Sequence, residues 1–142
     1  MFETHARLTS DGKSVRDLKR KVDLDRRIHL ERDLLLPCPW KRSRLIDFFA
    51  TIGKGRLNGA WEQDCDNHFV ELWLPMGIAW VHGGNHSIAT GIVQVEGEII
   101  SDSVYDISEV YKYVYTDGEY YISKEDNGIV SDVPNVEFCR NF

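Results

Sequence analysis

The chain has 142 residues, 42% of them hydrophobic and 28% charged, with a formal net charge of −6. That balance suits one ordinary domain with a real core and excludes a largely disordered chain. No run approaches the ~18 uncharged apolar residues of a membrane span, residues 1–21 lack the apolar stretch of a secretory signal, and Cys38, Cys65 and Cys139 are too few for a disulfide framework.

These exclusions predict a cytoplasmic protein with reduced thiols and no membrane contact. The charge is uneven. Residues 1–44 hold 12 of the 17 basic and 7 of the 23 acidic side chains, a balance of +5, which leaves −11 for the rest. Such an arm suits phosphate or an acidic protein partner, or is simply a solvated face. No basic stripe with interleaved aromatics runs along the chain, so nucleic acid has little support as a partner.

In chain order, residues 1–24 read as a basic arm and helix, and residues 25–142 as a single α+β domain. Ser10-Asp11-Gly12 breaks the arm, and Val15, Leu18 and Val22 fall at helical spacing from Ser14 to Leu24. Ile28–Leu36 reads as one strand, ended by Pro37-Cys38-Pro39-Trp40. Ser43 is placed to cap a helix over Arg44–Ile52, with Leu45, Ile46, Phe48 and Phe49 as its apolar face and Gly53-Lys54-Gly55 as its stop. Residues 53–67 read as loop. His68–Leu74 alternates like a strand, and Ile78–Val81 is a short buried one. The spacing then changes to helical after Gly83-Gly84, with Gly97 as the close. Glu98–Tyr105 reads as another strand and Ser108 as the cap of a short turn. Tyr111–Tyr115 and Tyr120–Ser123 flank Asp117-Gly118, a strong hairpin signal. The fold class is therefore α+β, a mixed sheet with helices and a C-terminal β-hairpin.

Chemistry concentrates at His82-Gly83-Gly84-Asn85-His86-Ser87. Two glycines allow left-handed backbone and close approach. The helix start behind them offers unsatisfied N–H groups and the positive end of a dipole, an anion site in outline. Asn85 or Ser87 is placed to cap and His86 to donate to phosphate. A plain strand–turn–helix capped by Asn85 fits the same residues, and both readings stand at this stage.

The glycine turn, together with the strand, proline stretch and basic Lys41-Arg42-Ser43-Arg44 upstream, resembles the ParB/sulfiredoxin superfamily over roughly residues 28–105. The LPCPW and GNHS segments are also similar to an uncharacterised bacterial family. The superfamily resemblance implies a nucleoside triphosphate, with Mg²⁺, held by its phosphates. Sulfiredoxins use ATP and partition proteins CTP. Carried over, Gly83, Gly84 and His86 match the phosphate-binding turn and Arg44 the arginine after the first strand. Asn85 and Ser87 complete the turn, and Arg42 and Lys54 are further cations for the phosphates. His86 is the catalytic candidate, for nucleotide hydrolysis, phosphoryl transfer or nuclease action. Asn85 stands where sulfiredoxin needs cysteine, which excludes that activity, and Ser87 replaces an arginine.

Other constellations read as ordinary structure. Gly53-Lys54-Gly55-Arg56 lacks P-loop spacing. Cys65, His68, His82 and His86 do not form a metal set, because two glycines interrupt the last pair. Glu62, Asp64, Asp66 and Glu71 read as a solvated acidic loop, with Mg²⁺ binding as the other reading of the same residues. A function of a different class also fits: a non-catalytic inhibitor or adaptor carried by a plasmid or phage, gripping a protein through its basic arm or its tyrosine-rich hairpin.

Overall fold

The computed structural model describes residues 5–133, so Cys139 lies outside the described residues. It is an α+β protein. The chain divides into two compact units, residues 22–105 and residues 1–21 with 106–142.

Residues 22–105 carry most of a five-stranded mixed sheet of order β1-β7-β4-β5-β3. Its strands are β1 (Arg20–Val22), β3 (Leu34–Leu36), β4 (Val70–Leu74), β5 (Ile78–Val81) and β7 (Ser103–Asp106). β3 runs parallel to β5, and β4 runs antiparallel to it. Strand alternation sends Leu35, Val70, Leu72, Ala79 and Val104 to one face, where they are buried with Ile88 of helix α3 (Asn85–Gln94). Ile28, Leu30, Ile99 and Trp61 complete that core. Strands β2 (Arg27–His29) and β6 (Glu98–Ile100) form a separate antiparallel ribbon, tied by an ion pair between Arg27 and Glu98.

Helix α2 (Arg42–Thr51) runs beside α3 in the same direction. At their starts, the Lys41 backbone N–H donates to Nε2 of His86 over 3.1 Å, and at their ends Gln94 Nε2 donates to the Ile52 carbonyl over 2.9 Å. The two helices therefore present their N-termini at one end.

The other unit holds α1 (Val15–Leu18), a 3₁₀ turn (Val110–Lys112) and a three-stranded antiparallel sheet. That sheet is ordered β10-β9-β8, from β8 (Val114–Thr116), β9 (Tyr120–Ser123) and β10 (Ile129–Asp132). The expected hairpin is β8–β9, with Tyr115 opposite Ile122. Among the described residues no helix is long and apolar enough to cross a membrane.

Several boundaries differ from the sequence expectation. The helix of residues 14–24 is one turn: the Ser14 N–H and hydroxyl both donate to the Asp17 carboxylate, and Lys19 is already extended. Pairing in the sheet overrides the helical spacing beyond it. The single strand Ile28–Leu36 is two, because the Asp33 carboxylate accepts the His29 N–H over 2.7 Å and folds residues 30–33 into a turn. The strand Glu98–Tyr105 likewise divides around Ser101-Asp102. α2 starts at Arg42, with Lys41 and not Ser43 at its N-cap. α3 ends before Gly97: Val95 takes the left-handed conformation, φ 58°, and its N–H reaches the Gly91 and Ile92 carbonyls.

Candidate anion site at two helix starts

Gly84 is the N-cap of α3 and adopts φ 71°, a left-handed conformation that glycine enters without a Cβ penalty. Its packing is as demanding as its torsion. A Cβ there would lie 2.1 Å from Cδ2 of His68, and one on Gly83 would lie 2.5 Å from the Asn67 carbonyl oxygen. The close approach that these glycines permit is thus to the protein's own residues 67–69.

His68, missed as a site residue in the sequence, is the support of that turn. Its Nδ1 accepts the Asp64 N–H over 2.9 Å, and its ring stacks on Trp61 with centroids 5.0 Å apart. Trp61 in turn donates Nε1–H to the Ser87 carbonyl over 2.8 Å. Burial holds the His68 imidazole below its ordinary value, against the pull of Asp64. A glycine at 84 and a histidine sixteen residues earlier form no local pattern, so only the tertiary structure joins them.

The first two residues of α3 contact the segment before α2 instead. Asn85 Oδ1 accepts the Cys38 N–H over 2.7 Å. His86 is 3% exposed, beneath the edge of Trp40 at 4.5 Å between ring centroids and with Phe48 at 6.3 Å. Because Nε2 accepts the Lys41 N–H, the ring is neutral with its proton on Nδ1. Burial first, then the charge of Arg44, keeps it below its ordinary value.

The arrangement gathers Gly83, Gly84, Asn85, His86 and Ser87 at the start of α3, with Arg42 and Arg44 at the start of α2 beside them. Lys54 is elsewhere. Its N–H donates to Glu96 beyond the end of α3, one helix length or about 15 Å away.

The electrostatics of this end are one-sided. Among the described residues no acceptor meets the N–H groups of Asn85, His86 and Ser87, although all three residues are buried. Lys41, Arg42 and Arg44 are exposed and make no ion pair with a described carboxylate. Trp40, 59% exposed, lies against His86 at the same end. Two parallel helix dipoles, three N–H groups without a described acceptor and the exposed Lys41, Arg42 and Arg44 all favour negative charge.

No curated protein and no solved structure matches the chain. A family model does, over residues 3–142, and by that match the chain belongs to DUF6710, a family of unknown function.

Proposed function

We propose that this protein binds a phosphorylated small molecule, a nucleotide, at the joined starts of α2 and α3. The observation that carries the reading is that the N–H groups of Asn85, His86 and Ser87 meet no described acceptor, beside the exposed Lys41, Arg42 and Arg44, which ion-pair with no described carboxylate. A phosphate would answer both, by charge-assisted hydrogen bonds. The exposed indole of Trp40 offers a flat surface for a base. The ParB/sulfiredoxin resemblance of this turn points to the same ligand class. Mg²⁺ would arrive with the nucleotide, since among the described residues no three His, Cys, Asp or Glu side chains gather to hold a metal.

In this reading His86 is a positioning residue. Its Nε2 lone pair is engaged by Lys41, and its buried ring sets the spacing of the two helix starts. Binding is thus the primary activity, and any turnover needs a base from another residue.

The test is titration with pyrophosphate, then with ATP and CTP with and without Mg²⁺, followed by Trp40 fluorescence and calorimetry. Arg42→Ala with Arg44→Ala should weaken pyrophosphate binding roughly tenfold or more. Trp40→Ala should weaken the nucleotides and leave pyrophosphate unaffected. A wild-type protein that binds none of the three ligands refutes the proposal.

A further inference from the structure

Helix α2 has an uncovered face. Of its apolar residues Leu45, Phe48 and Phe49 are half-buried, while Ile46 is 55% exposed and shares the outer side with the exposed Arg42, Ser43, Arg44 and Asp47. A helix this short is marginal by itself and is normally held by burying an apolar side. The start of the same element is basic: Lys41, Arg42 and Arg44 stand there against Asp47 alone, in a chain of net charge −6.

The opposite charge lies close by. The loop that supports Gly84 exposes Glu62, Asp64 and Asp66 and is followed by Phe69, 46% exposed. None of the three acids ion-pairs with a described cation. This loop and α2 both attach to the α3 start, the loop through Gly84 and Ser87, and α2 through His86. Each carries an excess of one sign of charge and an exposed apolar side chain, Ile46 on the one and Phe69 on the other.

Two patches of opposite charge, beside one helix end, are complementary to the same pair on a rotated copy. In a two-fold interface, whatever α2 contacts on the partner, the partner's α2 contacts in return. We propose that the uncovered face of α2 docks on the acidic residues 62–69 of a second copy of this chain, forming a symmetric dimer. Ile46 and Phe69 supply the apolar contact, and the arginines and carboxylates set its register.

Sedimentation velocity on the full chain tests this. The wild type should dimerise with increasing concentration, and more weakly at about 500 mM than at about 50 mM salt. Two charge-reversed variants, Arg42→Glu with Arg44→Glu and Glu62→Lys with Asp66→Lys, should each be monomeric, with self-association weakened roughly tenfold or more. Mixed in equal amounts they should form a heterodimer, because both contacts are then complementary again. Thermal melts show whether each variant is folded, and Ile46→Asp gives a third disruption that leaves the arginines in place. A wild type that stays monomeric, or reversed variants that still self-associate, would overturn the proposal, and so would a mixture of folded variants that fails to pair. The inference does not rest on nucleotide binding, although both use Arg42 and Arg44: self-association of the wild type without added anion reports the dimer alone, and pyrophosphate binding by the folded Ile46→Asp monomer reports the anion site alone.

Discussion

Lys41 and His86, forty-five residues apart, are joined by one hydrogen bond of 3.1 Å from a backbone N–H to an imidazole nitrogen. The bond ties the first residue before α2 to the second residue of α3. It exists only while the imidazole is neutral, since a protonated ring has no lone pair to offer.

That dependence sets a direction with pH. Burial and Arg44 depress His86, and burial depresses His68, from the ordinary value of 6.5. A histidine harder to protonate in the folded than in the unfolded chain lowers stability as pH falls, because the unfolded chain takes up the proton first. Stability from both is therefore full above about pH 6.5 and declines below it. Calorimetry from pH 7.5 downward should show Tm falling in that window. His86→Gln, which keeps an acceptor for Lys41 but does not titrate, should flatten part of the decline. An unchanged slope would show that His86 titrates freely.

Gly84→Ala should cost about 2–5 kcal/mol, from left-handed strain and the collision with His68 together. Gly77 has a similar φ, 72°, but a methyl added there would meet nothing within 4 Å. Gly77→Ala should therefore cost only the torsional part, about 1–2 kcal/mol. Urea denaturation of both separates the contact from the torsion, and equal losses would contradict the packing described for His68.

Asn85 separates stability from binding. Asn85→Ala removes the acceptor of the Cys38 N–H and should cost about 1 kcal/mol. Asn85→Asp keeps an acceptor and places a carboxylate at a helix start, so chemical denaturation should show little or no loss. The same carboxylate would repel phosphate, so its pyrophosphate affinity should fall. Retained affinity in a folded Asn85→Asp protein would argue against the anion site.

Glu96 organises the segment after α2. Its carboxylate accepts the Trp61 N–H over 2.8 Å and the Lys54 N–H over 3.1 Å, bonds that also hold it below the ordinary carboxylate range. Glu96→Ala should speed amide hydrogen exchange at Lys54 and Trp61 while leaving β4 and β5 protected. Unchanged exchange at both amides would show that the loop is fixed by other contacts.

Much of the fold was legible in the residue order. Ile78–Val81, the Asn85–Gln94 helix and the Asp-Gly hairpin were readable because each carries its own local signal, an apolar run, a change of period or a turn dipeptide. The division of Ile28–Leu36 was not, because one carboxylate, Asp33, turns the backbone inside an otherwise strand-like run. β10 lacks a clear alternation and is assembled by its neighbour β9. At the candidate site the glycine turn and the arginines were visible as residue types. What the order could not give was their spacing: His68 behind Gly84, Lys41 on His86, and Lys54 a helix length away.

Val95 closes α3 in a conformation that a branched side chain enters at a penalty, and glycine or asparagine is the usual occupant of such a position. Its side chain is 62% exposed, so exchanging it would uncover little buried surface. The natural sequence is thus less robust than its own backbone permits. Val95→Gly should raise the unfolding free energy by about 1 kcal/mol, yielding a hardier protein in which the more damaging substitutions above can be studied while it stays folded.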